Sequence, residues 1–520
     1  MENTAKIIQE QEKRIAFLEH LNAELMVKLN WFQEQFHLNQ HRQFGSSSEK
    51  THIEQMELFN EAEVEAKPAP EPTMEDITYR RRKRQGHREE QLKDLPVETI
   101  EYRLPPEEQV CSCCGGGLHE MSTETRQELK VIPAQAKVVN HVRYVYGCRR
   151  CDREGTETPI VTALMPAPVL PGSIASPSAM AYIMTQKYVE GLPLYRQEQS
   201  LARLGIELSR QTLANWMIQG ANRWLLPLYE RMHQHLLDLD ILHADETTLQ
   251  VLQEPGRSAQ STSYIWLYRS GRDGPAIVLY DYQTTRANKH PQRFLSGFQG
   301  YLHVDGYPGY NDLPGVTLVG CWSHARRKFD EALKALPPGK RNVAVPAKEG
   351  LGFCNQLFAI ERQFHETTPE ERYKARLEYS RPILDAFSAW LKYHSPRVLP
   401  KSAFGQAINY CRNQWAKLEK FLLDGRLELD NNRSERSIKP FVIGRKNWLF
   451  ANTPKGAKAS ATIYSIVESA KENGLNPYTY LQYLFERLPN IDLEDPNAID
   501  ELLPWSSGLP DECHTKKRVS

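Results

Sequence analysis

The chain carries no net charge. Its 65 lysines and arginines are matched by 65 aspartates and glutamates, so affinity for a polyanion has to come from local clustering. It also lacks an apolar run of about 18 residues and a leader-like start, which points to a soluble cytoplasmic protein with no membrane partner. Cysteine is scarce: nine in 520 residues, four of them in two tight pairs. In a reducing compartment that spacing points to metal rather than disulfides. At this length one ordinary core is exceeded, and three or more domains are expected.

What is there begins with a heptad. Ile8, Ile15, Asn22, Leu29 and Phe36 recur at one seam position, and Gln11, Leu18, Leu25 and Phe32 at the other. Branched residues at the first position and leucine at the second favour a parallel dimer, and a lone Asn in the seam fixes register. The plainer alternative is a helix packed on its own protein's core. Residues 1–45 are therefore read as an N-terminal coiled coil that makes a homodimer or higher oligomer. Residues 46–100 form a polar linker with too little apolar content to fold. Within it Arg80, Arg81, Arg82, Lys83 and Arg84 are either a solvated run or a tether for DNA phosphates.

Cys111 and Cys114 make one C-x-x-C, and Cys148 and Cys151 make another. Four thiolates presented from two turns suit one structural, tetrahedral Zn2+. The alternating stretch between the pairs reads as strands, giving a zinc-ribbon-like β domain over 101–165. Cys113 is a spare that competes with its neighbours for the metal. Residues 166–235 read as helical. "LPLYRQEQSLARLGIELSRQTLANWM" holds a helix, a turn at Gly205 and a second helix capped by Ser209. That arrangement is helix-turn-helix-like and would bring Arg210 to DNA; paired helices around a glycine also occur in unrelated bundles.

From residue 239 the pattern changes to strands. "DILHADETTLQVL" runs past Asp245, and "SYIWLYRS" and "PAIVLYDY" flank a "GRDG" turn. A short helix, a strand ending at Asp305, a fifth strand and a helix follow. The series is that of a ribonuclease-H-like core, in which the first and fourth strands lie side by side and Asp245 meets Asp305. Two Mg2+ (or Mn2+) ions about 4 Å apart need shared hard oxygen ligands, which such a pair supplies. Either aspartate alone is also an ordinary turn residue. The core is read over 236–334, interrupted by a helical insertion at 335–415, and resumed over 416–475, with a tail at 476–520.

The third acid is sought in "LELDNNRSERSIKP". Asn432 and Glu435 have the spacing of a capping box, a purely structural reading. Alternatively Glu435 ligates metal, while Arg433, Arg436, Lys439, Arg445 and Lys446 hold DNA phosphates. Glu428, Asp430 and Asp424 are read as solvated or capping acids, and Pro440 is expected to kink or end the helix.

The chain resembles the bacterial DDE transposases of the insertion-sequence 66 family over essentially its full length. The resemblance rests on "FGSSSEK", "CSCCGG…YGCRRCD", "HADETTLQVL", "HVDGYPGYN", "CWSHARRKF", "LDNNRSERSIKPFVIGRKNWLF" and "LLPW". It implies that Asp245, Asp305 and Glu435 are the catalytic triad, that two Mg2+ serve each active site, and that the ends of a mobile element are cleaved and joined to target DNA. It also implies double-stranded DNA as partner, with small accessory transposition proteins as further candidates. Cys321 and His324 fall on a C-x-x-H that similar transposases carry here; they are read as structural, either orienting the site or simply packed in the interior, rather than as zinc ligands. Two other classes remain open: a zinc-containing dimeric DNA-binding regulator, which leaves the strand-borne aspartates unexplained, and another ribonuclease-H-like nuclease or resolvase, which needs neither zipper nor two DNA-reading modules.

Overall fold

A computed structural model describes residues 135–147, 160–336 and 345–515, with parts of a helix between residues 11 and 36. The chain divides into two compact units, Met1–Ser46 with Val138–Ser520, and Ser47–Lys137; nearly all described residues belong to the first. The architecture is mixed α/β. Strands β1 (Val145–Gly147) and β2 (Ile160–Thr162) pair antiparallel. Strand structure before β1 is absent from the described residues 135–144, so the alternation there does not build the longer ribbon strand that the pattern suggests.

Helices α1 (Pro177–Tyr188), α2 (Leu194–Arg203), α3 (Arg210–Gly220) and α4 (Leu226–Leu237) come next. Gly205 takes φ 79° between α2 and α3, a conformation that a side chain would strain. Ser209 caps α3, its Oγ accepting the Thr212 N–H at 3.2 Å.

A five-stranded sheet then forms in the order β5-β4-β3-β6-β7. Its members are β3 (Ile241–Gln250), β4 (Thr262–Ser270), β5 (Val278–Gln283), β6 (Gly300–Val304) and β7 (Val316–Gly320). The first three run antiparallel, whereas β6 joins β3 and β7 joins β6 in parallel. The short helix α5 (Lys289–Phe294) links β5 to β6. Aromatic and β-branched residues make β4 fit a sheet covered on both faces, and Ile265, Trp266, Leu267 and Tyr268 are all fully buried.

Helix α6 (Trp322–Lys334) leaves β7. Helices α7 (Pro346–Gln363), α8 (Pro369–Ala375), α9 (Arg381–His394) and α10 (Ala403–Leu418) follow; α7, α9 and α10 share a second apolar core with Trp322 and Phe329 of α6. The buried Arg376 joins this core to the segment that returns to the sheet. It donates to the carbonyls of Phe421 and Asp424 at 2.8 Å and of Leu427 at 2.7 Å, while Glu361 balances its charge.

Helix α11 (Asn432–Trp448) continues past Pro440 rather than ending there. The expected break does not occur, although the ring leaves the Arg436 carbonyl without its intrahelical donor. Helix α12 (Pro454–Glu472) lies along the edge strand β5. Its Ser465 and Ser469 accept the N–H groups of Tyr280 at 2.8 Å and Val278 at 2.9 Å, so the sheet edge is covered rather than left as a pairing template. The stretch read as a tail is part of the main core: α13 (Pro477–Arg487) buries Tyr480, Leu481, Leu484 and Phe485. Among the described residues no helix is long and apolar enough to cross a membrane.

Candidate active site

Strand register brings the first two acids together. His243 pairs with His303 across the parallel β3–β6 ladder, so two residues further on Asp245 and Asp305 lie abreast. Adjacent strands are about 4.8 Å apart. Asp305 follows the last residue of β6, and its Oδ1 accepts the Tyr307 N–H at 2.8 Å, the turn contact that the DGYP sequence suggests. Burial pushes the Asp245 carboxyl well above its ordinary range. The charges of Glu246, Asp305 and Glu435 push it further, against one 2.8 Å hydrogen bond from the Glu246 N–H.

Glu435 arrives from the first turn of α11. The capping-box reading of Asn432 and Glu435 fails: Asn431 occupies the N-cap with no side-chain cap bond, and the Asn432 amide turns to Asp430 at 2.7 Å. Glu435 is thereby released to face α6. Its Oε1 lies 3.8 Å from His324 Nδ1 and its Oε2 3.5 Å from Arg327 Nη2. Both Oε1 and Nδ1 are buried with no hydrogen-bond partner. Burial lowers the His324 pKa, and the Glu435 charge opposes the shift.

Several residues that the sequence pattern does not single out hold these acids in place. The Asn431 side chain donates to the Ala244 carbonyl at 2.8 Å and accepts from His243 Nδ1 at 2.9 Å, while its own N–H reaches Cys321 Sγ at 3.2 Å. His243 and His303 stack at 4.3 Å beneath the aspartates. Burial keeps both neutral, His243 falling to about 4 and His303 well below its ordinary value. Glu246 is buried and paired with Arg286, whose Nε is 2.8 Å away, and it accepts from Tyr310. Arg286 in turn stacks on Tyr307 at 3.5 Å, so the turn carrying Asp305 is tied back to β3.

Glu428 is not a solvated acid. It bridges Arg272 at 2.7 Å and Arg433 at 3.0 Å. Burial alone would raise its pKa, but the neighbouring His243 ring, the Arg433 and Arg272 guanidinium charges and the Arg272 hydrogen bond prevail and bring it to about 2. Asp430 is likewise enclosed and accepts from Ser323 at 3.0 Å, whereas Asp424 pairs with Arg426 at 2.8 Å. Arg433 therefore serves Glu428 first. Arg445 donates to the Thr248 carbonyl and to its Oγ1. Arg436, Lys439, Lys446 and Arg210 are exposed. Arg80, Arg81, Arg82, Lys83, Arg84 and the paired cysteines Cys111, Cys114, Cys148 and Cys151 lie outside the described residues.

Asp245, whose proton affinity is raised by burial and by the charges of Asp305 and Glu435, and the unpartnered Glu435 Oε1 offer hard oxygen donors of the kind a divalent cation takes. Comparisons with known proteins point to one family. Residues 172–459, more than half of the chain, match the profile of the "Transposase IS66 family". Residues 108–152 match the "zinc-finger binding domain of transposase IS66", 465–505 the "IS66 C-terminal element" and 31–100 "Transposase C of IS166 homeodomain". Two similar proteins of Sinorhizobium fredii (strain NBRC 101917 / NGR234) are "Uncharacterized protein y4jD" and "Uncharacterized protein y4hP". The first is 33% identical over 417 residues, covering 78% of this chain and 79% of its own; the second is 30% identical over 431, covering 79% and 75%. With profile matches to the catalytic, zinc-finger and C-terminal parts of one family, the chain belongs to the IS66 transposases.

Proposed function

We propose that the chain is a DDE transposase that binds the ends of an insertion sequence, cleaves them and joins the 3′-hydroxyl ends to target DNA in the bacterial cytoplasm. The observation that carries this reading is that the charges of Asp305 and Glu435, from a strand end and a helix distant in sequence, reach the buried Asp245 carboxyl on β3. The strand order β5-β4-β3-β6-β7 supports a ribonuclease-H-like core. Asp245, Asp305 and Glu435 would hold two Mg2+. Bound there, the ions supply a stronger nucleophile at neutral pH and charge stabilisation at phosphorus.

The chain's own groups set up that chemistry. Asn431 and the neutral His243–His303 stack fix the separation of the acids. The Arg286–Glu246 pair holds the Asp305 turn, and exposed Arg436 and Lys439 on α11 offer charge to the DNA backbone. The exposed seam residues Ile15, Leu18, Leu25, Leu29 and Phe32 support a zipper, since a single chain leaves them in water. The match over 108–152 supports one structural Zn2+ on Cys111, Cys114, Cys148 and Cys151, so Cys111→Ser or Cys148→Ser should lose zinc by elemental analysis. The α2–α3 pair supports DNA reading by the face that carries Arg210.

Incubating the full chain with Mg2+, target DNA and DNA bearing the element's ends tests the reading. The expected products are element ends with free 3′-hydroxyls and joined target molecules. Binding with no metal-dependent nicking would favour the zinc-containing regulator, and cleavage with no joining would favour a nuclease.

A further inference from the structure

Cys321, His324 and Glu435 each turn one ligand atom toward a common point, and these atoms all lie within 4.8 Å of one another. Cys321 is the N-cap of α6, His324 stands one turn later, and Glu435 comes from α11. Sequence spacing brings the first two together but gives no reason to expect an acid beside them. The facing atoms His324 Nδ1 and Glu435 Oε1 are buried, unpartnered and 3.8 Å apart. That gap is too long for a hydrogen bond. It matches the separation of two ligands on one tetrahedral ion, about 3.5 Å for bonds of about 2.1 Å.

The sulfur faces the same point. Cys321 Sγ is buried and accepts the backbone N–H groups of both Asn431, at 3.2 Å, and His324. Burial pushes the thiol up to about 12 against those two N–H donors, so it is the metal that has to displace the proton. A sulfur, an imidazole nitrogen and a carboxylate oxygen form a softer set than the all-oxygen cage beside it. Such a set selects a zinc-like ion over Mg2+.

We propose that Cys321, His324 and Glu435 form a second transition-metal site, distinct from the four-cysteine segment, which takes a thiophilic divalent cation of the Zn2+ class with one coordination position open. Binding displaces the Cys321 thiol proton to solvent as the Sγ–metal bond forms. Glu435 is then shared, so occupancy here withdraws it from Asp245 and Asp305. That consequence rests on the catalytic role proposed above, whereas the binding does not.

Cobalt titration of the full chain carrying a single equivalent of zinc, enough for the four-cysteine segment alone, tests the site without DNA or Mg2+. The wild type should take up one further equivalent with a near-ultraviolet sulfur-to-cobalt charge-transfer band and tetrahedral visible absorption. Cys321→Ser and His324→Ala should each lose that equivalent, with zinc content by elemental analysis and far-ultraviolet circular dichroism unchanged. His324→Asn gives a second variant of similar size should the alanine variant unfold. A wild type that binds no further cobalt overturns the proposal. So does a band that survives in folded Cys321→Ser and His324 variants, because it would then report exchange at the other cysteines. As neither DNA nor cleavage enters the readout, this result stands or falls separately from the catalytic assignment.

Discussion

The Asn431 side-chain amide donates to the Ala244 carbonyl at 2.8 Å, joining the strand that carries Asp245 to the helix that carries Glu435. The contact sits one residue from the first acid and four from the second. Asn431→Ala would leave the Ala244 carbonyl and His243 Nδ1 buried without partners, at about 1–3 kcal/mol. Urea unfolding should show that loss. Cleavage of already bound DNA should fall further than end binding does, because the two acids lose their common anchor. Equal losses in binding and cleavage would make Asn431 a general stabilising residue only.

Arg286 covers the buried Glu246. Removing it as Arg286→Ala strands a carboxylate beside Asp245 and Asp305, an arrangement that costs about 3 kcal/mol or more when a buried pair is broken from one side. Arg286→Ala with Glu246→Gln should recover much of that stability, as measured by denaturant midpoint. A double variant no more stable than Arg286→Ala would mean the pair is not the source of the effect.

Asp245 gives a pH dependence with a definite sign. Its native carboxyl keeps its proton to a higher pH than in the unfolded chain, where the value is about 4. Rising pH from there toward the native value therefore destabilises the metal-free protein. Asp245→Asn removes that term. In Mg2+-free buffer at neutral pH the variant should unfold at a higher temperature than the wild type, and the gap should close as pH falls toward about 4. Mg2+ should raise the wild-type midpoint and leave the variant nearly unmoved. Thermal unfolding over a pH series checks both.

The N-terminal seam predicts self-association. Asn22→Leu removes the seam asparagine that selects register among the exposed Ile15, Leu18, Leu25 and Leu29. Analytical ultracentrifugation should show a more stable or larger assembly; an unchanged distribution would contradict the seam as drawn.

The alternation in "HADETTLQVL" and the aromatic run in "SYIWLYRS" made the sheet legible, because a strand's period is local. Glu435 was legible only as an ambiguity, since a first-turn glutamate satisfies a cap and a metal equally well on paper. What removes the cap lies far off in the chain: Asn431, at the N-cap, spends its side chain on His243 and Ala244, 188 and 187 residues earlier. No local pattern announces such a contact. The same holds for Glu246, which alternation assigns to the face opposite Asp245 and which Arg286 and Tyr310 capture from later loops. Glu428 reads as solvated in the sequence, whereas it is buried and paired with Arg272 and Arg433. Pro440 misled for a different reason, since a helix held on both sides by packing tolerates one missing hydrogen bond.

The most direct measurement is Mg2+-dependent cleavage of DNA carrying an element end by wild type and by Glu435→Gln, with end binding followed in parallel by gel shift. The account predicts binding within about twofold of wild type and cleavage reduced by roughly a thousandfold or more, about 4 kcal/mol of barrier. Asp245→Asn and Asp305→Asn should behave alike. Substantial metal-dependent cleavage by Glu435→Gln would contradict the account.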